Sequence, residues 1–274
     1  MNEGMNKNQE VKKSEEEKLG LERYEKIDSN FNKRLEEFVD FYKKNNIEIP
    51  EDFEVIIKYL WEDSKEEIIN KIKSDGFNDI LIVPPMTDST GRTGPLLASL
   101  LKKMEMGDGY NLKPDYLSDE PFDENNTEAG GYCSGYSRIM LVHKDQNLID
   151  SPILKEKIGV KGEYLLRSPD DKYYALSLEE YLIFQKKYFE ETGQHLDEKN
   201  KVWLSTFTTT SGKNKNYNGY YLCAGWEKEE NKLGLEPNDP DDSFEDVGVR
   251  TSYRFVFNGG KSWEDYIKNT KENK

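Results

Sequence analysis

Hydrophobic and polar positions change their period twice along this chain. Tyr24, Phe31, Leu35, Phe38, Val39 and Tyr42 recur at spacings near three and four, as one apolar stripe on a helix requires, and a second such segment covers 52–73 and stops at Gly76. The run DILIVPP is short, apolar and closed by two prolines, which predicts a buried strand. GPLLASLLKKME behind it predicts a helix with Pro95 in its first turn. An acidic loop is expected over 117–131. Then the period shortens: YCSGYSRIMLVH and GEYLLRS carry the β-branched and aromatic content of strands. SLEEYLIFQKKYFEETG returns to the helical period. Ser177 is placed to accept from the backbone N–H of Glu180 while the Glu180 side chain reaches back, and Gly193 is placed to end the helix in a left-handed conformation. Leu178, Tyr181, Leu182, Gln185, Tyr188 and Phe189 fall along one side of it. Beyond it VWLSTF, GYYLCAGW, NKLGLE and VGVRTSYRFVF are strand candidates joined by polar loops. This order predicts an α+β fold: a mobile tail over 1–20, a mainly helical region over 21–125, a strand-rich domain over 126–258 and a C-terminal tail over 259–274.

Charge narrows the partners. Only 35% of the residues are hydrophobic, but 17 Tyr, 12 Phe and 4 Trp supply enough bulk for a core in a chain of 274. The net charge of -15, with no basic patch, repels nucleic-acid backbones and anionic lipid surfaces, so no nucleic-acid partner is expected. No apolar run approaches the roughly 20 residues that span a bilayer, so no membrane insertion is expected either. The N-terminus has no signal-peptide core, which places the chain in the cytoplasm at synthesis; display on a cell or virion would need a separate route.

Candidate chemistry is sparse. PPMTDSTGRTGP sits between strand and helix as a phosphate loop would, but it lacks the Gly-Lys-Ser/Thr ending and reads as a turn. His143 and His195 have no partner at ligand spacing, which argues against zinc. Cys133 and Cys223 have no sequence-adjacent base and read as small buried hydrophobes. The stretch NDPDDSFED concentrates oxygen ligands yet lacks calcium-loop spacing, and Glu236-Pro237-Asn238 matches the tripeptide of calcium-dependent mannose-binding lectins without their downstream Trp-Asn-Asp run. No catalytic residue, cofactor or metal is expected.

The distribution of polar residues near the C-terminus is unusual for so charged a chain. Over 205–226, 15 of 22 residues are Ser, Thr, Asn, Gly or Tyr and none is acidic; over 227–246, 9 of 20 are Asp or Glu. LSLEEYLIFQKKYFEETGQHLDEKNKVWLSTF, followed by GYYLCAGW and closing on VGVRTSYRF, resembles the variable proteins of diversity-generating retroelements, a group with a C-type lectin fold related to formylglycine-generating enzymes. The resemblance covers about the last half of the chain and rests on the order of four pieces: the capped helix ending in ETGQHLD, the Trp-Leu strand, the Ala-Gly-Trp turn and the terminal Gly-Val-Arg. It implies that 126–258 is a C-type lectin-like domain and that adenine-directed mutagenesis scatters Asn-type codons into Asn, Asp, Ser, Tyr, Thr, Gly and Phe. Such residues also make a good binding surface, because Tyr gives large amphipathic contact and Ser and Asn adapt their hydrogen bonds. The resemblance further implies a ligand-binding face, for a protein or glycan, built from Ser205, Phe207, Tyr220, Asn238, Asp239, Asp241, Asp242, Ser243 and Phe244, with Tyr217 and Asn218 from the polar insertion. Trp203, Leu204, Leu222, Trp226, Val247, Val249, Phe255 and Phe257 are expected as the buried scaffold beneath it. The alternatives are a lectin-fold enzyme of formylglycine-generating type and a calcium-dependent sugar-binding lectin.

Overall fold

A computed structural model of the chain describes residues 3–86, 127–128, 136–161, 173–208, 221–239 and 241–257. The expected helix at 94–105, most of the acidic loop at 117–131, the strand at 162–168, Cys133 and the tail at 259–274 lie outside these residues.

Helix α1 (Glu3–Lys44) is followed by α2 (Phe53–Asp63) and α3 (Lys65–Asp75). The tract expected as a mobile tail is helical from Glu3, because its Glu, Lys and Gln are strong helix formers that need no core to favour the conformation. From Tyr24 onward the apolar stripe is buried, with Phe31, Leu35, Phe38 and Tyr42 all at 4% exposure or less. Phe31 stacks on Trp61 of α2 at 4.3 Å between ring centroids, and the Trp61 indole N–H donates to Asp28 at 3.0 Å. A glycine is required where α1 crosses α3: a Cβ at Gly20 would stand 2.7 Å from the Lys73 Cα.

The strands form two sheets. In the first, β1 (Asp79–Val83), β3 (Arg138–Val142), β9 (Thr251–Val256) and β4 (Tyr173–Ala175) are antiparallel neighbours in the order β1-β3-β9-β4. In the second, β2 (Thr127–Glu128), β5 (Lys201–Thr208), β6 (Tyr221–Glu227) and β7 (Lys232–Asn238) are antiparallel neighbours, and the short β8 (Val247–Gly248) runs parallel to β5 at its start. The three N-terminal helices lie against the first sheet: the Tyr42 hydroxyl donates to the Ile82 carbonyl, and the Tyr253 hydroxyl to Glu67. Buried residues from Tyr24 through Phe255 belong to one hydrophobic cluster, and β1 shares a sheet with the last strand. The helices and the main-core faces of both sheets therefore share one core.

Helix α4 (Leu178–Thr192) begins and ends as its residues dictate. Ser177 accepts from the Glu180 N–H at 3.3 Å, Glu180 accepts from the Ser177 N–H at 2.8 Å, and Gly193 adopts φ 69°. It is buried all round from Leu178 to Tyr188 rather than along one side. The reason is its position: Glu180 reaches β3 and β9, its flank meets β5, and Glu190 and Glu191 pair with Lys44 and Arg34 of α1.

Candidate functional site

Alternation divides the second sheet into two unlike faces, with a register shift in β5 between Trp203 and Phe207. Val202, Leu204, Leu222, Ala224, Trp226, Leu233 and Leu235 point into the main core. Trp203 and Cys223, directly opposite one another, point the other way and form a small separate cluster with Ala175, Val247 and Val249. On the same cross-strand row stands Glu236, whose carboxylate pairs with Lys201. The next row along pairs Glu128 with Phe207, Phe207 with Tyr221 and Tyr221 with Asn238. The end of β5, the start of β6 and the end of β7 thus come to the same margin of the sheet, from which both polar stretches of the sequence depart.

The acidic segment crosses the outer face. It leaves β7 at Asn238 and must return at β8, which lies beside β5, so residues 239–246 span from one side of the sheet to the other. An Asx turn starts the crossing: Asp239 accepts from the Asp241 N–H at 3.0 Å through its side chain and from the Asp242 N–H at 3.0 Å through its carbonyl. Phe244 fastens the middle, half-buried, with its ring 6.1 Å from that of Trp203. Asp246 ends the crossing by accepting from the Lys201 N–H at 3.0 Å. Between these anchors Asp241, Asp242 and Ser243 are exposed, while Asn238 and Asp239 are half-buried. The segment is therefore a strap fixed at three points that turns its acidic groups to water.

Beneath it the frame is held by buried ion pairs. Arg250 donates to Asp197 from Nη2 at 2.7 Å and from Nε at 3.2 Å, and its Nη1 donates to the His143 carbonyl at 2.7 Å. The Tyr181 hydroxyl adds a donor to Asp197 at 3.2 Å. Both charged side chains are sealed, at 1% and 0% exposure. Burial works against the Arg250 charge, yet the Asp197 carboxylate outweighs it and raises the guanidinium pKa. The Asp197 carbonyl accepts from the Trp226 N–H at 3.1 Å, and the absence of a side chain at Gly225 lets β6 approach within contact of Asp197 and Asn200. Three of the sequence pieces singled out above, ETGQHLD, Ala-Gly-Trp and Gly-Val-Arg, therefore meet at one point. A second pair of contacts fixes α4 to the first sheet: Glu180 accepts from Arg138 at 2.8 Å and from Arg254 at 2.6 Å. Burial alone would raise the Glu180 pKa, but Arg254 and Arg138 carry it below the ordinary carboxylate value.

The chain matches no family model, curated protein or solved structure.

The expected scaffold residues Trp203, Leu204, Leu222, Trp226, Val247, Val249 and Phe255 are buried, and Phe257 packs half-buried against the core. Of the expected surface residues, Asn238, Asp239, Asp241, Asp242, Ser243 and Phe244 share the strap, and Phe207 lies at its departure margin by register. Ser205 is a correction: it is buried at 9% exposure, because its N–H donates at 2.9 Å to the Leu176 carbonyl, where the chain enters α4. Tyr217, Asn218 and Tyr220 lie outside the described residues. Cys223 is buried and its thiol is pushed up to about 12, chiefly by burial, so it carries no thiolate near neutrality. His195 lies between the rings of Phe189 and Trp226, at centroid distances of 4.4 and 3.3 Å. Among the described residues no three His, Cys, Asp or Glu side chains gather closely enough to hold a metal ion, and no helix is long and apolar enough to cross a membrane. The sequence reading missed the Asp197–Arg250 and Arg138–Glu180–Arg254 contacts. For Arg138 and Arg254 the signal was present as lone arginines inside apolar strand runs, SRIMLV and TSYRFV, where an unpaired charge would be costly.

Proposed function

We propose that this chain is a non-catalytic ligand-binding protein whose C-terminal half acts as a C-type lectin-like display module, in the manner of the variable proteins of diversity-generating retroelements, and takes a protein or glycan ligand. The observation that carries the reading is the strap at 239–246. Six residues of adenine-accessible type share it or its root, and the exposed ones, Asp241, Asp242 and Ser243, belong neither to the small apolar cluster nor to the Asp197–Arg250 pair that hold the frame. Exchange of exposed strap side chains can alter what is bound without altering the core, which is the division of labour such a module needs. The inert Cys223 thiol and the engagement of Glu236 by Lys201 weigh against a cysteine enzyme and against Glu236 as an available sugar-site ligand.

The surroundings of the gene test the proposal. A reverse transcriptase gene with a noncoding repeat that matches the codons of 203–250 except at adenines, with the mismatches at Asn238, Asp239, Asp241, Asp242, Ser243 or Phe244, supports it. Mismatches that fall on Trp203, Trp226 or Arg250, or no such repeat at all, defeat it.

A further inference from the structure

A second site lies far along the chain from the strap and shares no residue with it. Between the middle of α1 and the root of β1 opens a cleft of about 340 Å³, lined by Lys26, Asn30, Lys33 and Arg34 on one wall and by Asn78, Asp79 and Lys144 on the other, with Ile27 and Ile80 in it. That volume falls at the small end of ligand pockets, and the lining is mostly polar and charged around the two isoleucines. Its lining carries four cations, Lys26, Lys33, Arg34 and Lys144, against the carboxylates of Glu37 and Asp79, and Glu191 just outside also pairs with Arg34 and Lys144, which leaves a single excess positive charge in a chain of net charge -15.

The two carboxylates are already engaged. Asp79 accepts from Arg34 at 3.0 Å and from the Ile80 N–H at 2.8 Å, and pairs with Lys144 at 3.2 Å. Glu37 pairs with Arg34 at 3.3 Å and, more loosely, with Lys33 at 3.7 Å. Lys26 has no ion pair among the described residues, and the Asn78 side chain accepts the Lys144 N–H at 2.7 Å through its oxygen, which leaves its amide N–H groups to donate. Lys26 and Lys33 stand seven residues apart on α1, two turns or about 10 Å along one face, so their long side chains can converge on a group held between them. A concave site lined by excess charge of one sign concentrates ligands of the other.

We propose that this cleft binds a small molecule through a phosphate or carboxylate group, received by the Lys26 and Lys33 ammonium groups and the Asn78 amide. The Arg34–Asp79–Lys144 network serves as a fixed wall that keeps the cleft open and its carboxylates occupied. Lys26 and Lys33 are exposed, so their replacement by Ala, the strongest helix former, leaves the fold intact.

Amide NMR of the full chain, titrated separately with inorganic phosphate and with succinate at ionic strength held constant by sodium chloride, tests the proposal. A saturable shift of the Asn30, Asn78 and Lys144 signals is expected, with affinity about tenfold weaker or worse in Lys26→Ala/Lys33→Ala, in keeping with loss of charge-assisted hydrogen bonds. A response to phosphate alone assigns the site to phosphate esters, and a response to succinate alone assigns it to carboxylates. The proposal is overturned if neither anion shifts these signals, if chloride shifts them equally, or if the double variant binds as the parent does. None of these outcomes bears on the strap, whose test is genetic.

Discussion

Replacing Asp197 by Asn removes one charge from the centre of the frame and almost nothing else. Asp197 has φ 57°, in the left-handed region, and Asn is among the residues that tolerate it best, so the backbone has no reason to move. Side-chain volume is conserved and the Tyr181 and Gln146 contacts can persist. What is lost is the compensation of the Arg250 guanidinium, 1% exposed and now buried as a lone cation beside the carbonyls of His143 and Gln146. Breaking a buried pair in this way costs about 3–5 kcal/mol, because the surviving charge keeps its desolvation penalty and loses its partner. At roughly 2–4 °C per kcal/mol for a chain of this class, the melting temperature should fall by roughly 6–20 °C. Urea unfolding followed by tryptophan fluorescence and by circular dichroism gives the free energy directly. The double variant Asp197→Asn/Arg250→Met should recover part of the loss, since neither charge then remains buried alone. A single-variant loss under about 1 kcal/mol, or a double-variant loss equal to the sum of the singles, would refute the reasoning.

Three further outcomes follow from the same geometry. Trp203→Ala should cost about 3–5 kcal/mol and Trp203→Phe much less, because the buried indole N–H has no hydrogen-bond partner among the described residues, whereas Asp241→Asn/Asp242→Asn/Ser243→Ala should stay within about 0.5 kcal/mol per site. Denaturant titrations that rank the strap changes with Trp203→Ala would sink the division into frame and display surface. His143 is held neutral, its pKa lowered from 6.5 to about 4 chiefly by burial and by the nearby Arg250, against the pull of Asp145. The unfolded chain then takes up this proton first as pH falls, so the contribution of His143 is complete above pH 6.5 and drains by about 3 kcal/mol as pH drops to 4. Stability curves of the parent and His143→Phe should diverge in slope across that window; parallel curves would contradict the assignment. Finally, chelation with EDTA should leave the melting temperature unchanged, and a rise on adding calcium that disappears in Asn238→Ala would contradict the metal-free reading.

Local rules made α4 legible. Its capping box and terminal Gly193 involve residues within one turn of each other, and the strands showed in their alternation or apolar runs. The start of α1 was not legible, since a charged tract with few apolar groups reads as a tail although its residues favour helix. The ion pairs were illegible for a different reason: Arg138 meets Glu180 from 42 residues away, Arg250 meets Asp197 from 53 and Arg254 meets Glu180 from 74. Only the folded topology sets such distances. The strap's acidic content was plain, but not the path that makes Phe244 its fastening, and Ser205 read as a surface residue because nothing in VWLSTF announces the Leu176 carbonyl that holds its backbone.

The last strand of the first sheet is not at its edge: β9 lies between β3 and β4, with β1 on the far side of β3. During synthesis β1 emerges early, yet the strand that completes its sheet follows only after residues 84–250 have been made. At the 5–20 residues per second of a translating ribosome that interval is roughly 8–33 s. Until then β1 has only β3 as a sheet partner, and only once β3 has been made, and the side of β3 that β9 covers stays open. The first sheet therefore cannot close until β9 has been made, so its folding waits on a strand that lies far along the chain from β1.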